Sequence, residues 1–250
     1  MRPEQEPGAY HGYVDGQLMK ICPHDTATDT DPFTKLAHAQ FRAMMLSEAY
    51  TCVGGASAVR QARYRFGVFP ELASPEGVGE CAASLRAFLE EFPEKENPVA
   101  VFVAVFRGPV IDGEDAFERL LWQHLQGLHD GDTQPPWWDP DDRDAWDDEL
   151  GFVFSGRNFF VVGLHPAASR HSRVFAWPTL VFNTLSHMRP LEQAGQFQRM
   201  QSKIRVRDER LQGSPSPTLT LRQVAQFSGR SVGPDWEFPL RPREEQPDPE

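Results

Sequence analysis

The stretch Phe152-Val153-Phe154-Ser155-Gly156-Arg157-Asn158-Phe159-Phe160-Val161-Val162-Gly163-Leu164 decides the class of fold. Two β-prone runs flank a Ser-Gly-Arg turn, which is the pattern of a hairpin. Upstream, Val99 to Phe106 is a continuous apolar run, so it reads as a strand buried on both faces. Tyr64-Arg65-Phe66-Gly67-Val68 alternates like a strand, and Thr179 to Asn183 is a further short one. Helical spacing fills the intervals: Phe33, Leu36, Ala37, Phe41, Met44, Met45 and Ala49 form one apolar stripe. Cys81, Leu85, Phe88, Leu89 and Phe92 form a second, and Phe117, Leu120, Leu121, Leu125 and Leu128 a third. Leu191, Ala194, Phe197, Met200 and Ile204 line a fourth. A short helix after the Gly54-Gly55 break carries Arg60 and Arg63 on one side. This mixture predicts a single α+β domain whose mixed, partly antiparallel sheet is packed by helices.

The domain is expected over residues 31–240. Residues 1–30 are polar and rich in Pro, Gly, Asp and Thr and read as a flexible N-terminal arm; residues 241–250 read as a disordered tail. The acidic, Trp-rich stretch from Asp130 to Glu149 has no period and reads as a long surface loop. There are no internal repeats.

A net charge of −11 argues against nucleic acid as a partner, because phosphate neutralisation needs a basic surface. The charge is uneven, however. Between Gly131 and Leu150 eight acids face one base, whereas eight Arg or Lys face three acids between His165 and Arg210. That basic region either pairs with the protein's own acids or serves something local. No run of 18 apolar residues exists, so no membrane span is expected, and the N-terminus lacks the apolar core of a secretory signal. Cys22, Cys52 and Cys81 form neither a disulfide framework nor a zinc knuckle, which places the chain in the cytoplasm. Edge strands and an aromatic-rich surface need covering, which a homodimer would do.

The chemistry concentrates after the second hairpin strand, in Gly163-Leu164-His165-Pro166-Ala167-Ala168-Ser169-Arg170-His171-Ser172-Arg173. A histidine at a strand end can ligate a metal, and arginines beside it can hold carboxylates or phosphates. A solvated loop with a structural histidine is the plain alternative. One histidine suffices for haem, because the porphyrin supplies the other nitrogens. Haem would also want arginines for its propionates and aromatics against its ring, and Arg170, Arg173, Phe175 and Trp177 are close in sequence. Cys52, before Gly54-Gly55 and a helix start, is the competing ligand, or else a small packed hydrophobe. Asp208 either pairs with Arg205 or Arg207 or binds a cationic substrate. His124 and His129 read as surface residues, five apart on a helix. No GxSxG, P-loop, GxGxxG or HExxH occurs.

The order of blocks resembles the YqcI/YcgG family, which includes haem-dependent guanidine N-hydroxylases of D-cycloserine and guanitoxin biosynthesis. The similar stretches are Tyr50-Thr51-Cys52-Val53-Gly54-Gly55-Ala56, Arg63-Tyr64-Arg65-Phe66 and Gly163-Leu164-His165-Pro166-Ala167-Ala168-Ser169-Arg170. They continue through Pro178-Thr179-Leu180-Val181-Phe182-Asn183, Ile204-Arg205-Val206-Arg207-Asp208, Gln226-Phe227-Ser228-Gly229-Arg230 and Trp236-Glu237-Phe238-Pro239. Two departures stand out. Thr184-Leu185-Ser186-His187 replaces a Pro-His-x-Gln run, and Phe238 stands where a cysteine is common. His165 is therefore the histidine that keeps its family position.

The resemblance implies haem b and oxygen-dependent hydroxylation of a guanidine nitrogen, with L-arginine the leading substrate, O2 or peroxide the oxidant and a reductase as partner. It implies His165 as axial ligand, Arg170 and Arg173 as propionate anchors, and Phe175 with Trp177 as pocket walls. Asp208 or Glu48 is the candidate for the guanidinium. A non-catalytic haem sensor or carrier would use the same ligand. A haem-free protein would instead use the basic strip to dock an acidic partner or an anionic metabolite.

Overall fold

The computed structural model describes residues 9–21, 30–48, 50–93, 100–133, 151–184, 196–217, 224–233, 235–237 and 239–241. Seven strands form one mixed sheet: β1 (His11–Val14), β2 (Gln17–Lys20), β3 (Tyr64–Glu71), β4 (Val101–Gly108), β5 (Phe152–Phe154), β6 (Arg157–Leu164) and β7 (Thr179–Thr184). Their order across the sheet is β2-β1-β3-β4-β7-β6-β5. β3 and β4 run parallel, and every other neighbouring pair is antiparallel. Among the described residues, five α-helices accompany it: α1 (Pro32–Leu46), α2 (Val53–Arg60), α3 (Pro75–Glu91), α4 (Glu114–Asp130) and α5 (Gln196–Gln212). The α+β class with a mixed sheet is thus observed.

Local chemistry sets the element boundaries. Asp31 caps α1, its Oδ1 accepting from the N–H groups of Phe33 and Thr34 at 3.1 and 3.2 Å, with Pro32 opening the first turn. Ser74 caps α3 the same way, accepting from Gly77 N–H at 3.0 Å ahead of Pro75. Both hairpins turn on a non-glycine/glycine pair in the left-handed region: Asp15-Gly16 joins β1 to β2, and Ser155-Gly156 joins β5 to β6. Positive φ at both central residues matches the turn to the strand twist.

The sheet is sandwiched. Phe102, Ala104 and Phe106 of β4 face α3 and α4, in a core with Phe69, Leu85, Phe88, Phe117, Leu121 and Leu125. Val101, Val103 and Val105 face α1 and α2, with Phe41, Tyr64, Phe66 and Phe175. β4 therefore has the two buried faces that its unbroken apolar run predicts. At about 25 cal/mol per Å2, these aromatic-rich layers supply the main stabilisation.

Four expectations need correction. The residues read as a flexible arm contribute β1 and β2, because the Asp15-Gly16 turn closes a hairpin and His11 and Gly12 pair with Phe66 and Arg65. Arg63 does not share α2 with Arg60: the helix stops at Arg60, and Ala62 takes a positive φ. Gly54 and Gly55 lie inside α2 instead of breaking before it. His124 is not at the surface but fully buried. Its Nδ1 accepts from Ala73 N–H at 3.2 Å, and its ring meets Phe106 edge-on. Burial pushes its pKa down to about 3, so it is neutral. Most of the acidic stretch, residues 134–149, and the tail after Arg241 lie outside the described residues.

Candidate functional site

The period-two alternation of β6 puts Gly163 and His165 on the face covered by α4. His165 continues the strand by one residue, bridging in parallel to Val174. Its N–H donates to Arg173 O at 3.0 Å, and its carbonyl accepts from Phe175 N–H at 3.3 Å. These bonds close residues 165–175 into a tight loop. Within it, Arg173 N–H returns to Arg170 O at 2.8 Å.

His165 is 1% exposed. Its ring stacks on Phe117 with centroids 4.2 Å apart and planes 22° off parallel. Desolvation lowers its pKa to about 4; Glu114 opposes the shift and Arg173 reinforces it. The imidazole is therefore neutral near pH 7, and its buried Nδ1 has no hydrogen-bond partner. An unpaired nitrogen in a dry site is costly, a condition that Arg170 Nε in the same loop and His124 Nε2 in the core share.

Phe117, read from the sequence only as part of a helical stripe, and Glu114, not named there, hold this loop from α4. Glu114 Oε1 accepts from Ser169 N–H at 2.9 Å and from Ser169 Oγ at 2.7 Å. Phe117 can stack on His165 because residue 163 is glycine. A Cβ there would lie 2.5 Å from Phe117 Cε1 and 2.9 Å from Phe227 O. Gly163→Ala is accordingly expected to cost about 1–3 kcal/mol, seen as a lower urea midpoint at unchanged slope.

The two arginines of the loop are engaged by protein groups. Arg170 is 9% exposed, and its Nη2 donates to Asp208 Oδ2 at 2.5 Å and to Ser214 O at 2.6 Å. Its Nη1 donates to Ser214 Oγ at 3.1 Å. Asp208, 2% exposed, thus pairs with Arg170 and not with the adjacent Arg205 or Arg207. Arg173 donates from Nη1 to Gly163 O at 3.1 Å and to Phe227 O at 3.3 Å, and from Nη2 to Gln226 O at 3.0 Å. It fastens the 224–227 segment to the end of β6. Burial pushes the pKa of the same guanidinium down, opposed by Tyr50, Cys52 and Asp208.

Cys52 caps α2, its Sγ accepting from Gly55 N–H at 3.3 Å. Close to it, Tyr50 O accepts from Arg207 Nη1 at 3.2 Å. The structure therefore brings Arg170, Arg173 and Asp208 together around the His165 loop and the C-terminal half of α5, whereas Cys52 packs against the core on the face of the sheet opposite the His165 ring. Phe175 and Trp177 pack onto α1: Phe175 meets Phe41 edge-on at 6.2 Å, and Trp177 meets Phe33 at 4.9 Å. Glu48 is exposed in the turn after α1. Leu185, His187 and Phe238 lie outside the described residues.

A model of the YqcI/YcgG family matches residues 41–241. No curated protein and no solved structure matches the chain. Among the described residues, no helix is long and apolar enough to cross a membrane.

Proposed function

The chain belongs to the YqcI/YcgG family, and on that premise we propose that it is a haem-dependent oxygenase that hydroxylates a guanidine nitrogen. L-arginine is the leading substrate, with N-omega-hydroxy-L-arginine as product in a natural-product pathway of the cytoplasm. The observation that carries the reading is the buried, neutral imidazole of His165 with its unpartnered nitrogen.

The donor set fits an iron ligand in part. A neutral imidazole at a strand end is what a haem iron accepts, and the stacked Phe117 fixes the ring plane. His165 is the residue that would hold the iron, with Cys52 as the thiolate alternative. Arg170 and Arg173 do not stand free for propionates, since their forks are spent on Asp208, Ser214 and backbone carbonyls. Their role here is to position the loop that carries His165. When bound, haem supplies the activation of O2 or peroxide. The chain's own contribution is a dry ring environment and a loop braced on three sides, by Glu114, by Asp208 and by the 224–227 segment.

Adding haemin to the purified protein is expected to produce a Soret band, and His165→Ala to remove it. An unchanged spectrum in that variant would transfer the ligand to Cys52, tested by Cys52→Ser. A protein that takes up no haem at all ends this reading. A non-catalytic haem carrier is the second reading, and the engagement of Asp208 by Arg170 favours it, because that carboxylate is then not open to a cationic substrate. A product 16 Da heavier than L-arginine, found by mass spectrometry, separates the two.

A further inference from the structure

Of the five basic residues of α5, Arg207 stands apart from a stripe of three, and the exposed Arg205 lies to one side of that stripe. Arg207 turns inward to Tyr50 O, on the side where Asp208 meets Arg170. Arg199, Lys203, Val206 and Arg210 follow one another at four-, three- and four-residue steps, so they share a single stripe roughly 16 Å long. That stripe lies opposite the buried Asp208. All four side chains are exposed, Val206 to 48%. Arg199, Lys203 and Arg210 make no ion pair with any described residue. On a chain of net charge −11, three cations with no ion pair to a described residue around an exposed valine are a local exception.

We propose that this stripe docks an acidic electron-transfer protein. The partner's chemistry rests on the oxygenase reading; the docking surface itself does not. Hydroxylating one nitrogen with O2 consumes two electrons and two protons and releases one water. The partner supplies the electrons one at a time and is itself oxidised. The stripe sits on the outer side of the helix whose inner side is pinned to the His165 loop, so a protein bound there stands next to the candidate site. The stripe's complement is mainly one of charge, with Val206 adding a small apolar contact. Nucleic acid would demand a longer basic track, and the chain's overall charge repels it. Three rim charges give weak, salt-sensitive association, which suits a carrier that must leave after each electron.

The test uses the full chain and a plant-type [2Fe–2S] ferredoxin as probe, with binding followed by fluorescence anisotropy. Association is expected at 20 mM NaCl and is expected to weaken at least tenfold by 200 mM. The triple variant Arg199→Glu/Lys203→Glu/Arg210→Glu should lose at least tenfold in affinity, while Lys35→Glu/Arg119→Glu, on α1 and α4, should not. Equal binding by the triple variant and the unaltered protein overturns the proposal, as does no binding at low salt. So does tighter binding of a single-stranded DNA 20-mer or of phosphatidylserine vesicles. Binding that appears only after Asp→Asn replacement at residues 139, 141, 142 and 144 would put the chain's own acids on the stripe and also overturn it. The oxygenase reading fails separately, by absence of haem uptake or of peroxide-driven product, neither of which the triple variant should affect.

Discussion

Between pH 7 and pH 4 the protein is expected to lose several kcal/mol of folding stability, most steeply near pH 5. The cause is buried histidines kept neutral by desolvation: His11 is lowered, and three others are lowered strongly. His38 is held down to about 4, His124 to about 3 and His165 to about 4. In the unfolded chain each returns to about 6.5. As pH falls below that value the unfolded state takes up protons that the folded state refuses. Stability contributed by the neutral forms is therefore complete above pH 6.5 and drains as pH descends towards the folded values. With three such groups, the slope near pH 5 approaches about 4 kcal/mol per pH unit. Asp31 acts only nearer its own lower range: burial pushes its carboxyl up, but its bonds to Thr34 and Arg107 outweigh that and hold it down. Urea midpoints measured from pH 7.5 to 4.5 at constant slope test this. A midpoint flat across that span would show that the three rings accept protons in place. His124→Leu should take away about a third of the slope, because its ring is wholly enclosed and its Nε2 has no partner.

His124 also shows where sequence reading fell short. Its distance from His129 suggested a surface pair, yet it sits seven residues after Phe117, between Leu121 and Leu128, on the stripe that faces the sheet. The period was visible; the polar ring obscured it. β1 and β2 were hidden for a different reason. Each has only four residues inside a segment rich in turn formers, and the pairing of β1 to β3 is what makes them strands. By contrast β4 and the β5–β6 hairpin were legible, because unbroken apolar runs and a Ser-Gly turn are local signals. The site divides along the same line. His165 at a strand end could be read from its neighbours. Asp208 and Ser214 could not be paired with Arg170, nor Gln226 and Phe227 with Arg173, since they lie 38, 44 and more than 50 residues away along the chain. Gly163, two residues before His165, was the one local hint that an aromatic from elsewhere would lie flat there.

The largest single-site effect is expected at the ion pair beneath α5. Asp208→Ala should cost about 3–5 kcal/mol, because it strands the Arg170 guanidinium in a site where that residue is 9% exposed. Ser214 would still accept two of its N–H bonds, but no opposite charge would face it. Replacing both partners with apolar residues, Arg170→Met with Asp208→Leu, should recover most of that loss, since neither charge then needs burial. The double-mutant cycle isolates the coupling between them. Single variants costing less than about 1 kcal/mol would show that water screens the pair. The double variant also separates two roles for Arg170. If the guanidinium only braces the loop against α5, the repaired protein folds, keeps His165 in place and takes up haem as before. If it instead turns to a propionate when haem binds, the folded double variant loses haem affinity although its stability has returned. A haem titration followed at the Soret band, beside a urea curve on the same sample, reads both quantities and assigns the residue to one role.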